Sequence, residues 1–174
     1  MEKIIALPEG VQIEIDNFKV SITGEKGKLE RDFASPLFNK YLKIEKTGNA
    51  MKITSTSTKR KQKAIVGTVA SHLINMIEGV TKGYTKKLKI AYIHFPFTVK
   101  LEDDKINITN FLGEKSPRFA KVIGDSKVEV KGDIVTVTGI NKEEVGQTAS
   151  NIELATKVKG FDRRVFQDGI FLLK

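Results

Sequence analysis

The chain has 174 residues, 40% of them hydrophobic, and carries 30 Lys and Arg against 21 Asp and Glu, a formal net charge of +9. A chain of this length can bury one good core or two small ones of about 80 residues each. Because it contains no cysteine, it has no disulfide, no thiol nucleophile and no Cys-based zinc site. No apolar run approaches the roughly 20 residues of a membrane span, and residues 1–10 lack the layout of a signal peptide. We therefore expect a cytosolic protein.

Two β-hairpins are predicted in the first 55 residues. Apolar and polar residues alternate over 11–22, with a turn at Asp16-Asn17, and again over 41–53, with a turn at Thr47-Gly48-Asn49. Alternation with a period of two indicates strands that bury one face.

An amphipathic helix is predicted to follow. From about Lys61 the apolar residues recur every three to four positions, which predicts about four turns, ended by Gly79 or Gly83. Four bases within 59–63 crowd its positive end, an arrangement that lowers stability. An anionic partner would explain this arrangement; the alternative is a solvated loop ahead of the helix.

The second half repeats this plan. Alternating apolar residues predict strands over 88–92, 97–101 and 106–108, with a turn at Asp103-Asp104. Valines on both sides of Lys131-Gly132-Asp133 predict a further hairpin.

A second helix is predicted to begin at Asn141, with Glu144 as its capping partner, and to end at Gly160. Glu143 and Glu144 at its start and Lys157 near its end would complement the helix dipole.

Two pairs of sequence echoes indicate a duplication. Residues 66–71 read V-G-T-V-A-S and residues 145–150 read V-G-Q-T-A-S, and Lys-Gly-aromatic follows at 82–84 and at 159–161. A second pair lies upstream at Val20–Thr23 and Ile106–Thr109, each followed by Gly-Glu-Lys. Echoes that recur in the same order favour duplication over chance.

We therefore predict an α+β fold of two tandem duplicated modules, each an antiparallel-rich sheet with one helix packed on it. The modules are residues 1–82 and 83–174, with a linker near 80–86. Both are basic, with 14 basic against 9 acidic residues in the first and 16 against 12 in the second. This surplus predicts a polyanionic partner, either nucleic acid or an anionic membrane face.

Three further basic clusters each surround an aromatic residue, a combination suited to phosphate contact and stacking on a splayed base. The clusters are Lys82, Lys86, Lys87 and Lys89 around Tyr84, then Lys115, Arg118 and Lys121 around Phe119, and finally Lys157, Lys159, Arg163 and Arg164 around Phe161. Each aromatic residue fits core packing as well. The clusters therefore indicate phosphate contact more than base readout.

No catalytic constellation is apparent. His72 and His94 are far apart and have no obvious carboxylate partner, so we interpret both as structural. Gly24–Gly27 lacks the spacing of a phosphate-binding loop. We expect no enzyme, no catalytic or metal-binding residue, no cofactor and no small-molecule substrate.

Four segments in Asn75–Lys174 carry a family resemblance. They are N-M-I-E-G-V-T-K-G-Y at 75–84, H-F-P-F at 94–97, I-T-N-F-L-G-E-K at 108–115, and R-V-F-Q-D-G-I-F at 164–171, with Lys174 three residues later. Together they resemble the large-subunit ribosomal protein L-six family in its archaeal and eukaryotic branch. The first 60 residues match mainly in layout.

The resemblance implies a structural constituent of the large subunit of the cytoplasmic ribosome. In this family the C-terminal domain makes the main contact with large-subunit rRNA near the sarcin–ricin loop. There translational GTPases dock at the stalk base, and neighbouring ribosomal proteins are further partners. Arg164, Asp168, Lys174 and Lys115 match the family segments. We interpret Asp168-Gly169 as a turn, because a carboxylate would repel phosphate.

The candidate RNA-binding residues fall into three sets. They are Lys157, Lys159, Arg163, Arg164 and Lys174; Lys115, Arg118 and Lys121; and, as a weaker or peripheral contact, Lys59, Arg60, Lys61 and Lys63. Two other functions remain open. A basic adaptor would bind an acidic protein or an anionic membrane surface rather than RNA. A nucleic-acid-processing enzyme would show turnover that is lost when one carboxylate or histidine is mutated. Neither explains the four family segments.

Overall fold

The computed structural model describes residues 2–35, 42–48, 50–56 and 59–173. The chain divides into two compact units, residues 1–83 and 84–174. The predicted hairpin residues Tyr41 and Asn49 and the candidate RNA-binding residue Lys174 lie outside the described residues. The linker is shorter than the predicted 80–86, because a helix continues through Thr81 and a strand begins at Tyr84.

The N-terminal unit contains six strands and one helix among its described residues. They are β1 (Glu2–Ala6), β2 (Gln12–Asp16), β3 (Lys19–Gly24), β4 (Gly27–Asp32), β5 (Leu42–Thr47), β6 (Ala50–Ser55) and α1 (Arg60–Thr81). The strands form two antiparallel sheets, β1-β6-β5 and β2-β3-β4. The two predicted hairpins correspond to β2–β3 and β5–β6. The edge strands β1 and β4 were not predicted, because β1 buries a single residue fully and β4 none, so neither shows a clear apolar alternation.

The helix α1 is longer than predicted. It has 22 residues, about six turns, and includes the basic residues at its start. Gly79 does not end it but lies buried inside it. Gly83 follows the helix with φ +73°, and its N–H bonds to the carbonyl of Gly79 at 3.0 Å, an ending that favours glycine.

By length and composition alone, α1 is long and apolar enough to cross a membrane. No such segment was predicted from the sequence. Its apolar face, however, packs on β1, β3 and β6 of its own unit. The core helices of soluble proteins can be equally long and apolar. The helix α1 is the core helix of the N-terminal unit.

The C-terminal unit contains seven strands, one helix and a short 3-10 turn among its described residues. They are β7 (Tyr84–Ala91), β8 (Thr98–Glu102), β9 (Lys105–Thr109), the 3-10 turn Phe111–Gly113, β10 (Arg118–Lys121), β11 (Lys127–Lys131), β12 (Ile134–Gly139), α2 (Lys142–Ala155) and β13 (Gly169–Leu172). The sheets have the orders β10-β9-β8 and β11-β12-β7-β13, with every pair antiparallel. The predicted valine hairpin is β11–β12.

The helix α2 begins where predicted but ends earlier. The Asn141 side chain accepts a hydrogen bond from the Glu143 N–H at 3.0 Å and donates one to Glu144 at 2.9 Å. The helix ends at Ala155 rather than Gly160. Lys157 therefore lies two residues beyond the last helical residue rather than in the last turn.

Thr156 directly follows α2 and links its end to β13. Its buried hydroxyl donates to the carbonyl of Glu153 at 3.2 Å and accepts from the N–H of Ile170 at 2.9 Å. The residue that closes the helix therefore also holds the start of β13 beside it.

The two units repeat one topology. The order β1-β6-β5 corresponds to β7-β12-β11, and β2-β3-β4 corresponds to β8-β9-β10, with a helix following each set. The paired sequence echoes fall on equivalent elements, α1 with α2 and β3 with β9. The predicted α+β fold is confirmed, although each unit carries two sheets rather than one. Among the described residues, β13 has no counterpart in the N-terminal unit.

We predict that Gly24→Ala destabilises the N-terminal unit by about 1–3 kcal/mol, because packing there is already tight. A Cβ at Gly24 would lie 2.8 Å from both Cγ2 and the carbonyl oxygen of Val80. Urea unfolding measures the loss. Gly67→Ala is the control: a Cβ there meets nothing within 4 Å, and alanine favours the helix by about 0.5–1 kcal/mol. Equal effects of the two substitutions would contradict the packing argument.

Candidate nucleic-acid interface

Arg118 joins two of the predicted basic segments from within the C-terminal unit. Its Nε and one terminal nitrogen donate to the carboxylate of Glu114 at 2.7 and 2.5 Å. Its other terminal nitrogen donates to the carbonyls of Ala155 and Lys157 at 2.9 and 3.1 Å. The guanidinium also lies over the Phe111 ring, 4.5 Å from its centroid. The segment that carries Lys115 is thereby held against the end of α2.

The loop between β9 and β10, which carries Glu114, has an unusual backbone conformation. Asn110, Leu112 and Gly113 all have positive φ, at +62°, +50° and +76°. The Asn110 side chain donates to the carbonyl of Pro96 at 3.0 Å. For leucine this backbone conformation is unfavourable, so the surrounding contacts must stabilise it.

The hydrogen bonds to Glu114, Ala155 and Lys157 use the donors of Arg118 within the protein. The hydrogen bonds from Arg118 lower the pKa of Glu114, against the opposing effect of its partial burial. The Arg118 side chain is only 22% exposed. The structure thus gives this candidate RNA-binding residue a positioning role. Its partner Glu114 was missed, because an acid–base spacing of four residues signals a helix pair and no helix forms here.

Asp168 joins two of the four family segments, 94–97 and 164–171. Its carboxylate is buried and accepts hydrogen bonds from the N–H groups of Ile93 and His94 at 2.6 and 3.1 Å. The Nδ1 of His94 lies 3.0 Å from its second oxygen. The carboxylate therefore fixes the chain after β7 to the start of β13. His94 does have a carboxylate partner, which the sequence did not reveal because the two are 74 residues apart.

The charged form of Asp168 is stabilised in the fold. Burial by itself would raise the pKa of this carboxyl. The hydrogen bonds from the His94 ring and from the N–H groups of Ile93 and His94 outweigh burial, and the pKa of Asp168 lies below its usual value of 3.8. Asp168 is thus a buried anchor directly ahead of β13, and the predicted Asp168-Gly169 turn is wrong, because Gly169 begins the strand.

An aromatic stack continues from this anchor toward the surface. The rings of His94 and Phe166 stack with centroids 4.6 Å apart, and those of Phe166 and Phe161 lie 4.7 Å apart. Phe161 remains 53% exposed. The stack fixes the course of the loop between α2 and β13, which carries four of the candidate cations.

That loop borders an open cavity of about 750 Å³. Its lining combines apolar side chains with the polar and charged ends of several others. Residues that line it include Ile93, Leu154, Lys157, Arg163, Phe166 and Asp168. Lys157 and Arg163 therefore stand at one site.

The exposed cations of the loop are the strongest candidates for phosphate contact. Lys157, Lys159, Arg163 and Arg164 are all exposed, and within the described part of the chain none forms an ion pair. The carboxylate of Asp162 accepts from the backbone N–H of Arg164 at 2.9 Å, which orders the backbone but leaves the guanidinium outward. Lys115 is exposed too.

The remaining candidates are not gathered at this site. Lys121 lies on β10 at odd spacing from Arg118, so the two side chains are on opposite faces of the strand. The basic residues 59–63 belong to the other unit, at the start of α1, where the first turn holds no acidic residue. Among residues 2–35, 42–48, 50–56 and 59–173, no three His, Asp or Glu side chains are grouped to hold a metal ion.

The fold and this site define a class of protein: a duplicated α+β chain whose candidate functional groups are exposed cations on an internally braced loop. The sequence profile of the family described as Ribosomal protein L6 matches residues 7–83 and 95–169. The chain belongs to this family. It is therefore a structural protein of the large subunit of the cytoplasmic ribosome, not an enzyme.

Relatives from archaea agree over nearly the whole chain. Each of the three described next is named large ribosomal subunit protein uL6. Identity is 52% over 171 residues to the protein of Staphylothermus marinus, covering 97% of this chain and 91% of that one. It is 49% over 169 residues for Methanobrevibacter smithii, covering 97% and 93%. For Methanosarcina mazei it is 47% over 172 residues, covering 99% and 96%. The resemblance drawn from the four segments is confirmed.

We predict that Arg118→Lys lowers the free energy of unfolding by about 2 kcal/mol, since lysine cannot reproduce the bidentate bond to Glu114 and the two carbonyl bonds. Urea unfolding at neutral pH measures the change. Lys121→Gln, on the exposed face of the same strand, should alter stability by less than about 0.5 kcal/mol. Unchanged stability in Arg118→Lys would show that its donors are free for a ligand.

We predict that Asp168→Asn lowers the free energy of unfolding by about 1–3 kcal/mol at pH 7. Because folding depresses the pKa of Asp168, the stabilisation is present above the unfolded pKa and is lost as pH falls through the folded one. The difference between wild type and Asp168→Asn should therefore shrink below about pH 4. Urea unfolding at pH 7 and pH 3 tests this, with the exposed Asp133→Asn as control. A difference independent of pH would contradict the assignment.

Proposed function

We propose that this protein binds large-subunit rRNA near the sarcin–ricin loop, in the factor-docking region at the stalk base. The C-terminal unit supplies the contact, through phosphate binding by the exposed cations of the loop between α2 and β13 and by Lys115. The place on the rRNA follows from the family resemblance. Neighbouring ribosomal proteins at the stalk base would be its further partners.

One observation carries the choice of surface. Two buried or half-buried charged groups of the C-terminal unit, Asp168 and Arg118, use their hydrogen-bonding groups to hold the backbone. The exposed cations beside them, such as Lys157 and Arg163, make no ion pair with another described residue. A rigid backbone that presents uncompensated cations is preorganised for an anionic ligand, because little order is lost on binding.

The chemistry of the site favours recognition of RNA shape and backbone. Lysine and arginine side chains neutralise phosphates and release condensed counterions, which makes affinity depend on salt. The base edges of A-form RNA lie in a deep, narrow groove that side chains cannot read. Specificity then comes from the spacing of the cations on a fixed surface, which is what the Arg118 and Asp168 contacts maintain.

Two of the sequence candidates have a smaller part in this proposal. Arg118 acts as a positioning residue, since it bonds Glu114 and the carbonyls near Lys157. The basic residues 59–63 make at most a peripheral contact. Their helix start lacks a side-chain cap and acidic residues, so it is electrostatically suited to an anion, but no second feature of the described residues marks a ligand there.

We predict that changing Lys157, Lys159, Arg163 and Arg164 together to Ala weakens binding to an rRNA fragment spanning the sarcin–ricin region. Each lost phosphate contact should flatten the dependence of log affinity on log salt by about 0.7–0.9. Filter binding over a salt series measures both quantities. The matched control changes Lys59, Arg60, Lys61 and Lys63 to Ala, an equal loss of charge.

The outcomes separate the alternatives. If only the control set weakens binding, the RNA contact belongs to the N-terminal unit and the proposed surface is wrong. If the wild-type chain binds anionic vesicles in a salt-sensitive way and does not bind the RNA, the basic adaptor replaces the proposed function.

A further inference from the structure

The open face of the four-stranded sheet differs from its counterpart in the N-terminal unit. In β11-β12-β7-β13 the helix α2 packs on one face, against residues such as Leu88, Val135 and Ile170. Residues at odd spacing from these point to the other face, and directly paired residues share a face. The outward residues can therefore be read from the strand register.

These outward residues are strongly basic. Those carrying charge are Lys87 and Lys89 on β7 and Lys127, Glu129 and Lys131 on β11, four lysines against one glutamate. All five are exposed. The single glutamate pairs with Lys131 at 2.7 Å, whereas Lys87, Lys89 and Lys127 form no ion pair within the described part of the chain.

The equivalent face of the N-terminal unit is neutral. On β1-β6-β5 the outward charged residues are Glu2, Lys43, Glu45 and Lys52, two of each sign. Glu2 and Lys52 form an ion pair at 2.7 Å. Because the two units share one topology and nearly equal net charge, the difference lies in where the charge is placed.

Apolar side chains lie among these lysines. One row across the sheet pairs Lys131 with Ile134, Ile134 with Lys89, and Lys89 with Phe171. Ile134 is 39% exposed and Phe171 46% exposed. With strands about 4.8 Å apart the row spans about 14 Å, a width that suits a nucleic-acid strand lying on the sheet. Ile134 and Phe171 therefore add apolar contact area to the row of lysines.

We propose that this open face, centred on Lys87 and Lys89, is a second RNA-contacting surface of the C-terminal unit, distinct from the loop between α2 and β13. The lysines bind phosphates, and Phe171 and Ile134 pack on sugar or base. The excess of positive charge favours RNA, which is a polyanion, over a protein partner with few acidic residues. The inference rests on the proposed function and extends it, since β13 both ends the loop and forms one edge of this face.

The first test compares two double variants of the full chain. Lys87→Gln with Lys89→Gln should bind the sarcin–ricin rRNA fragment about tenfold more weakly. It should also flatten the salt slope by about 1.4–1.8. The control, Lys43→Gln with Lys52→Gln, removes equal charge from the equivalent face and should bind like wild type. Unchanged unfolding midpoints confirm that both variants fold.

A second readout is local, because the chain contains no cysteine. Thr136→Cys places one thiol on the open face, where Thr136 pairs with Lys87 and Glu129. Thr54→Cys places one on the counterpart face, where Thr54 pairs with Glu2 and Lys43. Saturating RNA should slow alkylation of the first thiol at least fivefold and leave the second unchanged.

Each result decides between specific claims. If the Lys87/Lys89 double variant matches wild type while the loop quadruple variant loses affinity, this inference is overturned and the proposed function stands. If wild type itself shows no salt-dependent RNA binding, the proposed function fails. Normal RNA affinity of the double variant, with loss of its incorporation into reconstituted large subunits, would assign the face to a protein neighbour and overturn the RNA assignment.

Discussion

The buried carboxylate of Asp168 is the constraint on which the C-terminal unit depends most. It accepts hydrogen bonds from two backbone N–H groups and lies within hydrogen-bond distance of the His94 ring. It therefore fixes the segment after β7 to the start of β13. A buried charge is costly unless it is fully hydrogen-bonded, and here the bonds keep it ionised. Together with the Thr156–Ile170 bond and the aromatic stack, this anchor sets the start of β13 and the course of the loop before it.

Both units follow one duplicated plan, and the departures from it lie around the surface that we propose binds RNA. Both units bury the same alternating strand faces under one helix, and their sheets have matching strand orders. The C-terminal unit adds β13, the loop before it and the left-handed turn around Leu112. These additions surround the end of α2, and Arg118 ties two of them to that helix. The C-terminal copy thus differs from the N-terminal one by these added elements and by the contacts that hold them.

Local patterns predicted the elements well where one face is buried. The hairpins β2–β3, β5–β6 and β11–β12 and the Asn141 helix start all follow from alternation, turn residues and capping chemistry. The exposed edge strands and the end of α2 were missed, because they depend on contacts distant in sequence, such as the bond between Thr156, the residue after the helix, and Ile170. The site shows the same division. Its cations are visible in the sequence, whereas the Arg118–Glu114 and Asp168–His94 contacts require the fold.

Net charge is a weaker guide to a binding surface than the placement of charge. The two halves of the chain differ little in net charge, yet the paired sheet faces differ sharply, one balanced by Glu2 and Glu45 and the other dominated by lysine. A balanced face gains little from approaching a polyanion, because the attraction of its lysines and the repulsion of its glutamates largely cancel. A face with uncompensated lysines attracts a polyanion within a Debye length of about 8 Å, beyond which salt screens the interaction. Strand register decides the face on which each lysine lies. It therefore determines where the basic residues of the chain gather on the surface.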